Sequence, residues 1–276
     1  MLTLTYRGPS SSATGGTAPV ELEGITPDKL KGLAAADIAR QPIFHGNQSV
    51  ELGALFTVSG SADDEQLTIA GDLSGVHWIG AKMQSGLLRI EGNAGRHVGS
   101  GLRGGEILVN GDTGDWLGAE MRGGLLHVRG SAGDQAGAAY RGSPRGMLGG
   151  KLFVCGNVGK EAGYLMRRGL IAVGGDAGDF TAWNMIAGTV LVFGSVGQRA
   201  AAGMRRGTLA VFGRAPQLLP TFRAAGLGNP TFLRIYFAEL RRHGFEFDQR
   251  LAHQELRLFA GDGITVGKGE VLTRAN

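Results

Sequence analysis

The sequence predicts an all-β protein, a right-handed β-helix (β-solenoid) of about eight coils, with a capping segment and one helix at each end. Three observations support this prediction. A glycine motif of the form Gly-x-x-Gly-x-x-x-Gly returns every 19 residues, and a short run with alternating aliphatic residues precedes each copy. The 50 glycines among 276 residues also give the rest of each repeat a low helix propensity.

The glycine motif sets the period of the chain. An early, loose copy starts at Gly71, and seven further copies follow it, of which six have the second glycine and four the third. They begin at Gly92, Gly111, Gly130, Gly156, Gly175, Gly194 and Gly213. The irregular step, from Gly130 to Gly156, contains seven extra residues within the segment 140–150. A fixed period near twenty residues indicates one structural unit per repeat, which buries its apolar face only by stacking on its neighbours.

The run before each motif reads as a β-strand. Two positions, two residues apart, are aliphatic in every copy, from Leu67/Ile69 to Leu209/Val211, and this period is typical of a strand with one buried face. Nineteen residues are too few for a strand and a crossover helix, so we expect each strand to lie beside the last, about 4.8 Å away. A stripe that follows the third glycine position is expected to fill the core. It consists of Met83, Leu102, Met121, Met166, Met185 and Met204.

Two capping segments, residues 1–66 and 214–276, are expected to flank the repeat domain, residues 67–213. Such caps cover the unpaired strand edges at the ends of a repeat array. In the first, a Gly/Ser/Thr-rich loop is expected around residues 8–18 and a helix near residues 27–40, because Thr26-Pro27 is a typical helix start. In the second, residues 230–243 predict an amphipathic helix that ends at Gly244.

The composition favours a soluble, cytoplasmic protein. A hydrophobic content of 42% suffices for a sizeable core, and one cysteine, Cys155, excludes an intrachain disulfide framework and suits a reducing compartment. The chain has no signal-peptide pattern and no apolar run long enough to span a membrane. A net charge of +4 is mild for this length, and no aromatic-basic motif indicates nucleic acid.

The outward-facing strand positions become apolar in the later repeats. The residues concerned are Phe153, Leu191, Phe193 and Phe212, together with Cys155 and Ala210. An apolar exterior must be covered. Two interpretations remain open: the C-terminal helix packs there, or the four residues named first form a subunit interface.

Arginines recur one residue after the methionine stripe, at Arg103, Arg122, Arg141, Arg167 and Arg205, and Arg145 lies in the seven-residue insertion. Stacked like charges about 5 Å apart repel one another unless water or acidic groups intervene. The arginines are therefore either splayed into solvent or form a docking strip for an acidic partner or a polyanionic cofactor tail. The insertion is expected to touch a partner or to loop into solvent.

Candidate catalytic groups are scarce. His77 and His97 are expected to share one ladder with Trp116, Gln135 and Glu161, which supplies no completing metal ligand. The sequence has no zinc-protease motif, no cysteine pair and no phosphate loop, and the Gly-x-Gly-x-x-Gly at 99–104 lies inside a repeat. The aspartates after glycines (Asp112, Asp115, Asp134, Asp176 and Asp179) are expected to cap turn amides. The sequence thus predicts no catalytic residue and no metal site of its own.

With this spacing, the repeats resemble the β-helix domain of glutamate synthase and, more closely, the C subunit of formylmethanofuran dehydrogenase. Asn47-Gln-Ser-Val-Glu-Leu-Gly before the repeats, Leu218-Leu-Pro-Thr-Phe after them and Gly261-Asp-Gly-Ile-Thr-Val-Gly-Lys-Gly-Glu support the second match. The Ala/Arg/Gly-rich composition is similar to that of a bacterial relative, the C subunit of the formyltransferase/hydrolase complex of methylotrophs.

The resemblance implies a scaffold subunit in a one-carbon enzyme complex, with formyltransferase and amidohydrolase-like partner subunits. These partners would move formyl between tetrahydromethanopterin and a methanofuran-type carrier and release formate at a catalytic metal. The implied scaffold binds no cofactor itself, although polyglutamate tails of such carriers are a conceivable ligand for the arginines. Three alternatives stay open: the C subunit of an archaeal-type molybdenum or tungsten formylmethanofuran dehydrogenase, a detached glutamate-synthase-type domain, and an independent repeat enzyme.

Overall fold

The computed structural model describes residues 1–8 and 18–275, so most of the loop predicted around residues 8–18 lies outside the described residues. The described chain consists mainly of β-strands. In chain order they are β1 (Leu2–Tyr6), β2 (Val20–Glu21), β3 (Pro42–His45), β4 (Gln48–Glu51), β5 (Phe56–Gly60), β6 (Gln66–Ala70), β7 (Val76–His77), β8 (Leu87–Glu91), β9 (Glu106–Val109), β10 (Leu125–Val128), β11 (Lys151–Val154), β12 (Leu170–Val173), β13 (Thr189–Val192), β14 (Arg206–Val211), β15 (Arg223–Gly228), β16 (Leu256–Gly261) and β17 (Lys268–Arg274).

The helices are short. They are α1 (Pro27–Leu30), α2 (Ala35–Ala39), α3 (Leu52–Leu55) and α4 (Leu233–Arg242), with a 3₁₀ helix at Gln249–His253. The helix predicted near residues 27–40 is thus two helices, separated at Gly32, whose φ of +75° does not continue a helix. The helix predicted over 230–243 is present as α4. Within the described ranges, no helix is long and apolar enough to cross a membrane.

Thirteen strands form one sheet, in the order β15-β16-β17-β14-β13-β12-β11-β10-β9-β8-β6-β1-β5. All pairs from β1–β6 through β14–β17 are parallel, whereas β1–β5, β15–β16 and β16–β17 are antiparallel. A second sheet has four strands, in the order β4-β3-β2-β7. In the connections between the strands, single residues of successive repeats also pair in parallel β-bridges, such as Ala94 with Thr113 and Ala132 with Val158.

The predicted right-handed β-helix of about eight coils with one helix per cap is therefore wrong. The repeats build a thirteen-stranded mixed sheet, and four short helices flank it. The difference arises at the ends, where the flanking segments add strands of their own. The segment between β16 and β17 is too short for a crossover connection, so these strands pair antiparallel. Nineteen-residue periodicity reports the repeat unit, but it carries no information on strands outside the repeats.

Within the repeats the predicted register is confirmed. Leu88, Ile107, Leu126 and Leu152 are successive cross-strand partners, and each side chain is fully buried. The connecting segments pack on the same face of the sheet, where the predicted methionine stripe is also confirmed as core. Its members are all fully buried, and Met147 of the longer repeat joins them. The aliphatic core thus lies between the sheet and its connections.

Glycine is required at two kinds of position in each repeat. Gly118 has φ +58°, a left-handed conformation that glycine adopts without steric cost. Gly111 needs no such φ, but a Cβ there would lie 2.4 Å from the carbonyl carbon of Gly92 in the preceding repeat. The predicted role of the aspartates is also confirmed, because Asp112 Oδ1 accepts a hydrogen bond from the Ser131 amide (2.7 Å). Side-chain oxygens thus join backbone amides of successive repeats.

Candidate functional site: an aromatic ladder along the repeats

One column of stacked residues carries bulky side chains on a left-handed backbone. Backbone hydrogen bonds between repeats place its members in line, for example Trp78 N to Arg96 O (3.0 Å) and His97 N to Asp115 O (2.9 Å). We call this column the aromatic ladder. It comprises Trp78, His97, Trp116, Gln135, Glu161, Phe180 and Arg199, with φ between 56° and 65°.

Left-handed backbone costs a non-glycine residue roughly 1 kcal/mol. In the neighbouring column of Gly99 and Gly118, five repeats place glycine at such sites and the last two place alanine, at Ala182 and Ala201, whereas the ladder contains no glycine. A side chain is thus retained at each of these positions despite the backbone strain. Backbone strain of this kind concentrates at functional sites.

The first half of the ladder is an aromatic cluster formed by Trp78, His97, Trp116 and Tyr140. The Trp78 and His97 rings stack at 4.1 Å with an interplanar angle of 8°, and Tyr140 stacks on Trp116 at 4.8 Å. Tyr140 is the first residue of the seven-residue insertion, so the insertion contributes to the cluster directly. All four side chains remain partly exposed.

Hydrogen bonds orient the cluster. The Tyr140 hydroxyl lies 2.9 Å from His97 Nδ1 and 2.8 Å from Ser100 Oγ. Burial, together with the positive charges of Arg96 and His77, lowers the pKa of His97 to about 4. Burial and the negative charges of Glu120 and Glu23 raise the pKa of Tyr140 to about 12, against the opposing effect of the Ser100 hydrogen bond. At neutral pH both groups are therefore uncharged, and the cluster is polar but without charge.

A second aromatic cluster lies two repeats further along. Tyr164 stacks on Trp183 at 4.7 Å, and Phe180 lies 5.5 Å from Trp183. The guanidinium of Arg199 lies 5.6 Å from the centre of the Phe180 ring, within the range of a cation–π contact. All three tryptophans of the chain thus belong to these two clusters.

The prediction that His77 and His97 share one ladder is wrong for His77. His97 lies in the ladder as expected, with Trp116, Gln135 and Glu161, but its neighbour is Trp78 and not His77. His77 Nδ1 instead accepts a hydrogen bond from the Arg96 amide (2.9 Å). The first repeat is two residues longer between Gly71 and Gly92 than the later ones, and this extra length shifts the column. No group of three or more metal-ligating side chains is present in residues 1–8 and 18–275.

The apolar outer face of the late strands is covered by the chain itself. Phe153, Leu191 and Phe212 are at most 2% exposed, under a second apolar cluster that includes Phe237, Leu240 and Phe245. Packing of the C-terminal helix therefore accounts for these three residues, which offer no side-chain area to a partner while α4 is in place. Phe193, the fourth residue of the predicted interface, is partly exposed, and its ring centre lies 5.0 Å from that of Phe247.

The arginine column is present with one change. Arg103, Arg122, Arg167 and Arg205 follow the buried stripe, with Ile186 between the last two. None forms an ion pair with another described residue. Arg141 is not in this column. Met147 donates its amide to Gly137 O (3.0 Å) and takes the core position, so that Leu148 stands where an arginine was expected. The insertion is residues 140–146, and it carries Arg141 and Arg145, both exposed.

A groove beside the end of α4 holds the cysteine of the chain. His127 Nε2 lies 3.3 Å from Cys155 Sγ, and Arg129, His243 and Glu246 line the same space of about 930 Å³. Burial raises the pKa of the Cys155 thiol and lowers the pKa of His127. A thiol held in its neutral form is a poor nucleophile, so this pair lacks the activation that covalent catalysis requires.

Sequence reasoning placed His97, Trp116, Gln135 and Glu161 in one ladder, but it missed Trp78, Phe180 and Arg199 and the stacking of the rings. Trp78, His97 and Trp116 are each 19 residues apart, so the repeat period itself was the signal that could have revealed it. Tyr140 carried no such signal, because it stands outside the period.

Comparisons with known proteins agree on one group of relatives. The GXGXG motif family matches residues 67–223. Among solved structures, the chain is similar to one in the crystal structure of the formyltransferase/hydrolase complex (FhcABCD) from Methylorubrum extorquens in complex with methylofuran. The identity is 34% over 99% of this chain and 100% of that one, with a TM-score of 0.89.

Curated relatives match over a shorter stretch. The C subunit of the tungsten-containing formylmethanofuran dehydrogenase 2 of Methanothermobacter wolfeii is 36% identical over 87 residues, which are 30% of this chain and 32% of that protein. The C subunit of the molybdenum-containing formylmethanofuran dehydrogenase 1 of Methanothermobacter marburgensis is 41% identical over 82 residues, 29% of this chain and 20% of that protein. The chain therefore covers about a third or less of the length of these relatives.

Proposed function

The chain belongs to the GXGXG motif family, as a homologue of the C subunit of formylmethanofuran dehydrogenase, and from this membership we propose that it is a non-catalytic scaffold subunit of a formyltransferase/hydrolase complex. The observation that carries the proposal is the full-length similarity to a chain of such a complex. The alternative, the C subunit of a molybdenum- or tungsten-containing enzyme, has support over only 82 to 87 residues.

The chemistry is assigned to partner subunits. In this proposal a formyltransferase subunit moves formyl between tetrahydromethanopterin and a methanofuran-type carrier, and an amidohydrolase-like subunit releases formate at its metal. Our chain supplies a rigid surface on which these subunits assemble in the cytoplasm. The neutral thiol of Cys155 agrees with the proposal that this residue takes no part in covalent catalysis.

The arginine column has a place in this proposal as a docking strip for acidic groups. Arg103, Arg122 and Arg167 carry positive charge in the connections that lead into β9, β10 and β12, without an in-chain counterion among the described residues. An acidic partner surface or the polyglutamate tail of a carrier would neutralise them. Replacing the three together by Gln is expected to weaken assembly and activity; unchanged assembly and activity would assign these arginines to solvent.

Native purification tests the proposed function directly. The chain is tagged in its own host, purified under mild conditions, and the accompanying chains are identified by mass spectrometry. Formyltransferase and amidohydrolase-like subunits in constant ratio are the expected result, and formate release should follow the complex and not the isolated chain. Recovery of a partner-free chain that is active by itself would refute the proposal.

A further inference from the structure

We propose that the aromatic ladder is the docking face for an arginine-bearing segment of a partner subunit, whose guanidinium fits between the rings of the ladder and the carboxylates of Glu120 and Glu161. The inference rests on the proposed function, because it requires that partner subunits exist. It assigns a role to a surface that the outward strand positions and the arginine column do not include.

The residue types on the ladder are those that interfaces favour. Tryptophan, tyrosine and arginine carry most of the binding energy in protein–protein contacts. Here Trp78, Trp116, Tyr140 and Trp183 lie along one face and remain partly exposed. Stacking within each cluster holds the rings in place, so that a partner meets a surface that is already ordered.

The length of the ladder suits an interface. From Trp78 to Phe180 the column takes five steps, which at about 4.8 Å per step make about 24 Å. A standard interface buries about 800 Å² per partner, a patch with a side of about 28 Å. The ladder therefore spans most of one such patch without a gap in the stacked backbone.

Two carboxylates on and beside the ladder suit a cationic occupant. Glu161 stands in the ladder between the two aromatic clusters, and Glu120 lies beside the first cluster, in the same repeat as Trp116. Neither forms an ion pair with any described residue. Glu120 Oε1 accepts a hydrogen bond from the Tyr140 amide (3.3 Å), and Glu161 Oε2 accepts one from Gln135 Nε2 (3.1 Å). The nearby Lys82 is already paired with Glu23 at 2.7 Å. We call the carboxylates of Glu120 and Glu161 the acidic gap.

Arginine fits this gap better than lysine. Its planar guanidinium stacks on an aromatic ring while it hydrogen-bonds a carboxylate, which an ammonium group does not do. The chain provides an internal example at the end of the ladder, where the Arg199 guanidinium lies over Phe180. Trp116 and Tyr140 lie beside Glu120, so this part of the ladder offers a carboxylate in addition to the rings.

A second copy of the chain fits less well. If two ladders met face to face around a two-fold axis through the acidic gap, the carboxylates of Glu120 and Glu161 in one copy would face those of the other. Like charges that face each other across an interface oppose association. The partner is therefore a different chain.

Footprinting provides the first test. The native complex and the separately purified chain are exposed to hydroxyl radicals, and oxidation is measured peptide by peptide. We expect oxidation of Trp78, Trp116 and Trp183 to fall at least fivefold in the complex. Phe44, 52% exposed on the four-stranded sheet, serves as a reference that should change less. Equal tryptophan oxidation in both samples would overturn the inference while leaving the proposed function intact.

Charge reversal provides the second test. A tagged chain with Glu120→Arg and Glu161→Arg should retain at least tenfold less partner subunit, and the loss should be smaller with Glu120→Gln and Glu161→Gln. The matched control is Glu255→Arg, at an exposed site away from the ladder. Circular dichroism and the unfolding midpoint establish that each variant folds. Full partner retention by the folded double variant would overturn the inference.

The outcomes separate the two proposals. If the unmodified chain co-purifies with no partner, the proposed function fails, and the docking inference fails with it. If the ladder is protected in the purified chain alone, and dilution removes this protection, the occupant is a second copy and the inference is overturned. Loss of partner by the arginine variants together with tryptophan protection in the complex supports both.

Discussion

Replacing Gly111 by Ala tests whether close approach of successive repeats, and not backbone conformation, requires glycine at the start of the motif. Gly111 lacks a left-handed φ, so alanine is compatible with its backbone. The added Cβ would nevertheless lie 2.4 Å from the Gly92 carbonyl carbon, 2.5 Å from Asn93 Oδ1 and 2.6 Å from the Asn93 amide nitrogen. Two of these three atoms belong to the backbone, so no side-chain rotation relieves the clash.

The cost follows from the displacement that the Cβ requires. Ordinary contact begins at 3.4 Å, so the repeats must separate by about 1.0 Å (3.4 minus 2.4). The hydrogen bond from the Asp112 amide to Asn93 Oδ1, now 2.8 Å, would then be lost. Overpacking of this kind costs about 1–3 kcal/mol and a lost hydrogen bond about 1 kcal/mol. We expect the free energy of unfolding to fall by about 2–4 kcal/mol.

Urea denaturation followed by circular dichroism measures this change in the purified chain. Gly228→Ala is the matched control, because Gly228 also lacks a left-handed φ and a Cβ there would meet nothing within 4 Å. The control should stay within about 0.5 kcal/mol of the unmodified chain. A Gly111→Ala chain that is equally stable would refute the reasoning, since the repeats would then tolerate a methyl group at their closest approach.

Three further predictions concern the protonation of His97 and the packing of the core. The pKa of His97 is about 4 in the folded chain and 6.5 in a free histidine, so the unfolded chain binds the proton first as the pH falls. The free energy of unfolding should therefore fall between pH 6.5 and 4, by about 1–2 kcal/mol after allowance for the partial exposure of the ring. Urea titrations at several pH values should show a smaller fall for His97→Gln, and an unchanged fall would contradict the assignment. Phe237→Ala removes a fully buried ring from α4, so it should lower the free energy of unfolding by about 3–5 kcal/mol and increase binding of a hydrophobic dye. Ile235→Ala, at a site 72% exposed on the same helix, is the control and should change this free energy by less than about 0.5 kcal/mol. Equal effects would mean that α4 does not cover the sheet. Met121→Ala should lower the unfolding free energy by about 2–5 kcal/mol in the same urea assay, and a loss below about 1 kcal/mol would show that the stripe does not carry the core.

The repeat core could be predicted because its physics is local. Alternation of aliphatic residues over two positions fixes which face of a strand is buried, and equal spacing then fixes the register, as between Leu88 and Ile107. The same reasoning located the buried methionines. The architecture as a whole could not be derived this way, since the pairing direction of β5, β15 and β16 depends on segments without any period.

The candidate site was harder to predict because two irregularities shift the count. The extra residues between Gly71 and Gly92 put Trp78, and not His77, beside His97. The insertion moves the core position to Met147 and leaves Tyr140 free to join the aromatic cluster. Counting from the glycines assigned Arg141 to a column that Leu148 occupies. Burial of an apolar side chain in the core decides which residue takes each position, and a spacing rule alone does not contain this information.

The position of β17 has a consequence for biosynthesis. This strand pairs with β14 on one side and with β16 on the other, so the open edge of the parallel repeats is closed by residues made well after them. From Val211 to Lys268 the ribosome adds 57 residues (268 minus 211), which takes about 3–11 s at 5–20 residues per second. During that interval the newest repeat presents unpaired backbone groups, a template on which other chains aggregate. The sheet therefore closes correctly only if elongation to β17 is faster than the encounter with another nascent chain. Slow codons between β14 and β17 would lower the yield of folded protein.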